Sequence, residues 1–455
     1  MPMKTQQLLL ALLLTGGLQA QTNPAISSWL INTDGTTGRH YVQGNPTPIV
    51  DADLANVQQV QYSANWVYVT ATGVPSYITG PFMDGNPSLT TNQNAIFKIT
   101  LNPTVNAGAG TATTGGNIGI FINGTAMFDY RDGVAWNTAT NSLCGGPGFS
   151  PCPGGPMASM SWNRDAVLAE MAGFDCSKGH PAMGNYHHHQ NPSAFNMDLT
   201  VISNVCTLYD AEGLYAIDST VHSPLIGFSY DGYPVYGAYG YKNADGTGGI
   251  TRIKSGYQLR NISTRTVWAD GTDVPDGPAV SVTYPLGYFR EDYEFVNHAG
   301  AADYLDVHNG RFCVTPEYPN GMYCYFATVD SEWNSAYPYL IGPTYYGVVT
   351  GAKVNSVTEA TTIYNPVNNL PEQSISEVRI FPNPTNDLFI VQAIGLVETN
   401  MELTLTDIQG KVIDKQVILP GSTMAFFDVS TLYAGTYVIS YTDAKGIQRK
   451  KIIVH

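Results

Sequence analysis

Short runs of alternating or continuously apolar residues, each soon broken by glycine, proline or asparagine, recur along this chain. They include "VQQVQYSANWVYVTATG" (57–73), "NAIFKITLNP" (94–103), "NIGIFING" (117–124), "FNMDLTVISN" (195–204), "VSVTYPLGYF" (280–289) and "GMYCYFATVD" (321–330). Alternation puts successive side chains on opposite faces of a strand, whereas a helix needs roughly ten or more unbroken residues with an apolar stripe every three to four. With 46 glycines and 28 prolines as punctuation, such unbroken stretches are rare. The fold is therefore expected to be mainly β, with one or two short helices. The clearest helical candidate is "SWNRDAVLAEMAGFD" (161–175), where Ser161 or Asn163 would cap, Val167, Leu168 and Met171 form the stripe, and Gly173 stops the turn.

Residues 1–20 read as a secretory signal peptide. Lys4 supplies the positive start, "LLLALLLTGGL" the apolar run and Gln19-Ala20 the small-residue cleavage position. That run is too short for a bilayer, and no later segment approaches the roughly 20 apolar residues of a spanning helix. The polar, proline-containing stretch 361–376, "TTIYNPVNNLPEQSIS", reads as a linker between a β-rich body (21–360) and a tail of short alternating strands (377–455). Such a tail suits a small β-sandwich. In it, "FPNPTND", "DIQGKVI", "DVSTLYAGTYVISY" and "QRKKIIVH" follow one another in an order that resembles the C-terminal sorting domain of type IX secretion substrates. The resemblance implies export through the type IX secretion machinery of a Bacteroidetes-type bacterium, and a secreted or outer-surface location after signal cleavage near Ala20.

The formal net charge is −15 and the acid excess lies in the body, since residues 375–455 are close to neutral. Such a surface repels nucleic acid and tolerates cations. Six cysteines in an exported chain favour disulfides over a thiolate metal site, for which no CxxC spacing exists. Local pairs are expected, although six cysteines allow about 15 connectivities. Cys144 and Cys152 bracket a Gly/Pro loop, Cys313 and Cys324 flank a Pro-Asn-Gly turn that would set them opposite each other in a hairpin, and Cys176 and Cys206 enclose the stretch between them.

That enclosed stretch holds "GNYHHHQNP" (184–192), three consecutive histidines in a chain that has nine. If Tyr186 to His189 form a strand, His187 and His189 share one face and Tyr186 with His188 take the other. Histidines two apart on a strand stand about 6–7 Å apart at Cα, close enough for both imidazoles to reach one ion. Copper and zinc both accept imidazole nitrogen at about 2 Å, and a reactive centre needs three protein ligands and an open position. His180, seven residues before His187 across Pro181 and Gly184, is the first choice for a third ligand, and His222, opening "HSPLIGFSYDGYPVYG", is the second. Asp231 in the same segment is read either as part of an Asp-Gly turn or as a general base, with Glu170 and Asp306 competing for that role. Tyr186 is a packed aromatic or a hydrogen-bond donor to developing charge.

"GNYHHHQNP" also resembles the motif that names the YHYH domain family, and its surroundings agree. "NIGIFINGTAMFD" and "GFDCSKGHP" precede it, while "HSPLIGFSYDGYPVYG", "LDVHNGRFCVTPEYPNGMYCYF" and "YPYLIGPTYYG" follow in family order over roughly residues 55–350. The motif's second tyrosine is His188 here. The resemblance implies homology and assigns no activity. Two functional classes remain: an extracellular protein with a copper or zinc centre, acting on an unknown extracellular substrate, or a non-catalytic carbohydrate-binding or adhesion module that presents tyrosines to a glycan. No GxSxG elbow, P-loop, HExxH or Rossmann glycine pattern is present.

Overall fold

The computed structural model describes residues 23–366 and 377–455, apart from 86–87, 147, 155–159, 194–203, 210–212, 395–399, 420–421 and 444–445. The expected signal peptide, the run 195–203 and most of the linker lie outside the described residues. The chain divides into two compact units, Met1–Tyr364 and Asn365–His455.

The first unit is built around an eight-stranded sheet. Its strands, numbered in chain order, are β1 (Asn117–Phe121), β2 (Ala126–Phe128), β3 (His180–Ala182), β4 (Asn185–His188), β5 (Leu225–Ser229), β6 (Pro234–Tyr236), β7 (Gly310–Cys313) and β8 (Met322–Phe326). The spatial order is β3-β4-β2-β1-β5-β6-β8-β7. The β4–β2 and β6–β8 pairs are parallel and the others antiparallel. A five-stranded sheet, which includes Val57–Tyr62, Trp66–Ala71 and Ala95–Thr100, contributes to the same core. Val60, Val69, Phe97 and Ile99 from that sheet are buried together with Ile120, Phe121, Met127, Phe228 and Val235 from the eight-stranded one. The alternation visible in the sequence is thus the alternation that fills this core. Many tyrosines are buried too: Tyr68, Tyr130, Tyr186, Tyr236 and Tyr325 are among the largest fully buried side chains of the described residues.

Three local expectations are corrected. The helix expected over 161–175 is a single α-turn, Ala166–Ala169, followed by a 3-10 turn, Met171–Gly173. Its beginning is lost because Asn163–Asp165 pair as a strand with Arg131–Asn137, so that neither Ser161 nor Asn163 caps it. Asp165 caps instead, accepting hydrogen bonds from the Val167 and Leu168 amides. The run 280–289 forms no strand, because Pro285 and the turn at Gly287 divert it and its aromatics Tyr284, Tyr288 and Phe289 pack with Trp136 and Trp162.

The third correction concerns cysteine. Cys144–Cys152 and Cys176–Cys206 are disulfides, but Cys313 and Cys324 are buried thiols. The β7–β8 register sets Cys313 opposite Met322 and Cys324 opposite Arg311, so the two are diagonal neighbours rather than a facing pair. Diagonal positions on antiparallel strands are wider apart than the roughly 3.8 Å between Cβ atoms that a disulfide needs.

The second unit has a three-stranded sheet (Glu377–Phe381, Leu388–Ile394, Met424–Asp428) and a four-stranded one (Val412–Ile418, Met401–Asp407, Gly435–Asp443, Gly446–Val454). Phe389, Val391, Ala393 and Phe427 from the first share a core with Leu403, Leu405, Ile439 and Val454 from the second. Alternate residues of Leu388–Ile394 are buried, as one inward face of a small β-sandwich requires.

Candidate metal centre

The hairpin β3–β4 brings the histidines together. Its turn, Met183-Gly184, has φ of 50° and 83°, the two left-handed residues of a type I′ turn, whose twist matches the flanking strands. A Cβ at Gly184 would stand 2.1 Å from Thr91 Oγ1, so the position admits only glycine on steric as well as conformational grounds. A two-residue turn fixes the register: Ala182 faces Asn185, Pro181 faces Tyr186 and His180 faces His187. Residues directly opposite share a face, and His189 returns to that face two positions after His187. The three imidazoles therefore converge, with one ring nitrogen from each lying within 4.8 Å of the others.

The trio is almost sealed, at 7%, 2% and 3% exposure for His180, His187 and His189. Phe128 stacks on His187 with centroids 3.8 Å apart, and Phe174 stands edge-on to His180 at 4.9 Å. His187 Nδ1 donates to the Asn185 carbonyl at 2.9 Å, and His189 Nδ1 donates to the Asp129 carbonyl. These bonds fix the tautomer of both rings and leave each Nε2 with its lone pair turned inward, the orientation a metal-binding histidine takes. The two Nε2 atoms are 3.1 Å apart. Two lone pairs at that distance repel unless a proton or a cation lies between them.

Glu170, the residue that ends the one-turn helix, flanks the cluster beside His180 and His189. Its Oε2 lies 3.2 Å from His180 Nε2 and 3.2 Å from His189 Nε2. Neither contact is aligned as a hydrogen bond, and Glu170 Oε2 and both His180 nitrogens are buried without hydrogen-bond partners. The electrostatics follow from this packing. Burial and the neighbouring His180 and His189 charges push His187 well below the ordinary histidine range. Burial would also lower His189, but the Glu170 carboxylate and the Asp129 carbonyl hold it above its ordinary value. Burial would raise Glu170, yet His180 and His189 hold it well below the usual carboxylate range.

The opposite face of β4 carries a separate polar cluster. His188 Nδ1 donates to the Lys178 carbonyl at 3.0 Å and its Nε2 accepts from the Tyr77 hydroxyl at 2.6 Å. Burial pushes His188 down to about 3, so it is neutral. The Tyr186 hydroxyl donates to both oxygens of Asp175, at 2.9 and 3.1 Å. That carboxylate also receives the Gly80, Ser177 and Gly179 amides. Gly179 is required for this packing, since a Cβ there would lie 2.4 Å from the Tyr186 ring and 2.8 Å from His188.

The structure does not bring the other singled-out residues to the trio. His222 donates from Nδ1 to the Ser223 carbonyl at 2.7 Å and packs between Tyr236 and Tyr241. Asp231 is buried, where it accepts from the Ser229 and Tyr325 hydroxyls and the Gly347 amide. Tyr186 lies on the far face of β4, as its alternation with His187 requires. Glu170 was visible in the sequence only as one of several carboxylates; the strand pairing of Asn163–Asp165, which shortens its helix to one turn, is what sets it at the cluster.

Two family models match the chain: "YHYH protein" over residues 96–338 and "Secretion system C-terminal sorting domain" over residues 379–455. No curated protein matches it. Among solved structures, it is similar to a DUF3244-family protein with an immunoglobulin-like β-sandwich fold from Bacteroides vulgatus. The two are 13% identical over 17% of this chain and 94% of that one, with a TM-score of 0.14, which is too low to bear on the fold.

Proposed function

This chain belongs to the YHYH protein family and ends in a type IX secretion sorting domain, and from that premise we propose that it is an exported protein whose YHYH domain holds a divalent transition metal, copper or zinc, on His180, His187 and His189. The carrying observation is the convergence of three nearly sealed imidazoles, two of them with tautomers fixed by backbone carbonyls and the third with both nitrogens unpartnered. A bound ion of this class would supply Lewis-acid activation of water or, for copper, one-electron chemistry. The chain's own residues orient the rings through the Asn185 and Asp129 carbonyls and exclude water through Phe128 and Phe174.

Tyr186 and Asp231 are assigned to the buried packing rather than to reaction, because each spends its polar atoms on buried partners. Residues 377–455 are the address read by the secretion machinery, and removal of residues 1–20 near Ala20 accompanies export. The glycan-binding alternative draws no support from the tyrosine content, which is largely committed to the core.

The test is elemental analysis of protein purified without an affinity tag, alongside a His187→Ala/His189→Ala double variant. About one equivalent of metal per folded wild-type chain, lost in the variant, is expected. Equal, sub-stoichiometric metal in both would refute the reading.

A further inference from the structure

The histidine trio leaves one side of the cluster to a carboxylate, and the geometry there is that of ligands around a common point. An oxygen that accepted ordinary hydrogen bonds from two imidazoles would have the N–H vectors aimed at it. Glu170 Oε2 is 3.2 Å from two Nε2 atoms and has neither aimed at it. Donors held about 2.0–2.1 Å from a tetrahedral ion stand about 3.3 Å from one another. Three of the six donor separations, 3.1 Å between the His187 and His189 nitrogens and 3.2 Å from Glu170 to His189 and to His180, are close to that spacing, and the three histidine nitrogens lie within 4.8 Å of one another.

The backbone of Glu170 is pinned on both sides. Its amide donates to the Ala166 carbonyl at 2.8 Å and its carbonyl accepts from Gly173 at 2.7 Å. Upstream, the Asp165 cap is itself held by the Tyr339 hydroxyl at 2.9 Å. The carboxylate thus stands on a fixed base. Its side chain keeps 26% exposure, against 9% and 3% for the side chains of His180 and His189.

We propose that the Glu170 carboxylate is the fourth donor to this centre and closes it on its solvent-facing side as a four-coordinate N3O site suited to Zn²⁺. This rests on the histidine reading above. Three imidazoles and a carboxylate, with three of their separations near the tetrahedral value, suit zinc, which has no geometric preference of its own, better than Cu²⁺, which prefers a tetragonal arrangement. An external ligand would then approach past Glu170, the most exposed of the four side chains.

The test titrates Co²⁺, as a spectroscopic stand-in for Zn²⁺, into metal-free full-length wild type, Glu170→Gln, Glu170→Ala and His187→Ala/His189→Ala, with circular dichroism confirming that each is folded. Zinc affinity is measured in parallel by chelator competition. The wild type is expected to give the intense visible bands of four-coordinate cobalt. Both Glu170 variants should still bind one ion, with altered bands and zinc affinity at least about tenfold weaker. Unchanged bands and affinity in both Glu170 variants would overturn the assignment of Glu170 while leaving the histidines in place. Absence of a cobalt spectrum in the wild type would overturn the histidine reading, and this proposal with it.

Discussion

Replacing His188 with alanine separates the two faces of β4, because His188 lies between the two candidate ligands in sequence and on the other side of the strand in space. Two terms set the cost. In the polar term the Lys178 carbonyl loses its buried donor and the Tyr77 hydroxyl its buried acceptor, worth about 1–3 kcal/mol each. The ring leaves a void in a fully buried site walled by Phe121 and Tyr186, whose centroids lie 5.5 and 5.1 Å from it, adding about 2–3 kcal/mol. The first unit, Met1–Tyr364, should therefore lose about 6 kcal/mol, a fall in melting temperature of roughly 8 °C for a unit of that size. Zinc affinity measured below that temperature should remain within about threefold of wild type, since no contact of His188 involves the trio.

His187→Ala should cost zinc affinity in addition to stability, since that ring is buried and hydrogen-bonded too. A structural zinc site is worth about 10–16 kcal/mol over four ligands, so losing one removes about 3 kcal/mol, or about 100-fold in affinity. Differential scanning fluorimetry of the metal-free proteins and chelator competition at 25 °C read the two effects separately. If His188→Ala weakens zinc binding as much as His187→Ala, the alternation that underlies the site is wrong.

Three further outcomes are expected. Burial pushes the Asp165 carboxyl up to about 7, above its unfolded value near 3.9. The folded chain therefore holds a proton that the unfolded chain releases, and stability present at pH 4 is lost as pH rises to 7, by at most about 1.4 kcal/mol per pH unit. Urea titrations at pH 4.5 and 7 should show a smaller fall in Asp165→Asn than in the wild type, and an equal fall would contradict the assignment. Cys176→Ser/Cys206→Ser opens a loop closed over a separation of 30 residues, and Cys144→Ser/Cys152→Ser one over 8. Chain entropy then makes the first the costlier loss, about 3.5 against 2.5 kcal/mol by denaturant titration. Cys313 and Cys324 should resist a thiol reagent in the native protein and both react after denaturation, whereas no reaction in denaturant would show them bridged.

Much of this centre could be read from residue order. Alternation pairs His187 with His189 and turns His188 away, and glycine at 184 makes the two-residue turn that sets His180 opposite His187. The β runs and the sandwich-like tail follow from the same alternation and from turn residues. What stayed hidden depended on register or on distant contacts. Cys313 and Cys324 flank a turn, but a two-residue offset in β7–β8 separates them. His222 ranked next after His180 because its fate depends on Tyr236 and Tyr241 and on the Ser223 carbonyl rather than on its own segment. Glu170 became prominent only once strand pairing at Asn163–Asp165 had shortened its helix to one turn.

Anomalous diffraction from a crystal of the zinc-loaded protein, recorded on both sides of the zinc edge, bears most directly on the centre. The expected result is a single peak about 2.0–2.1 Å from a ring nitrogen of each of His180, His187 and His189. No peak at the trio, or a peak only at other histidines such as His222, would contradict it.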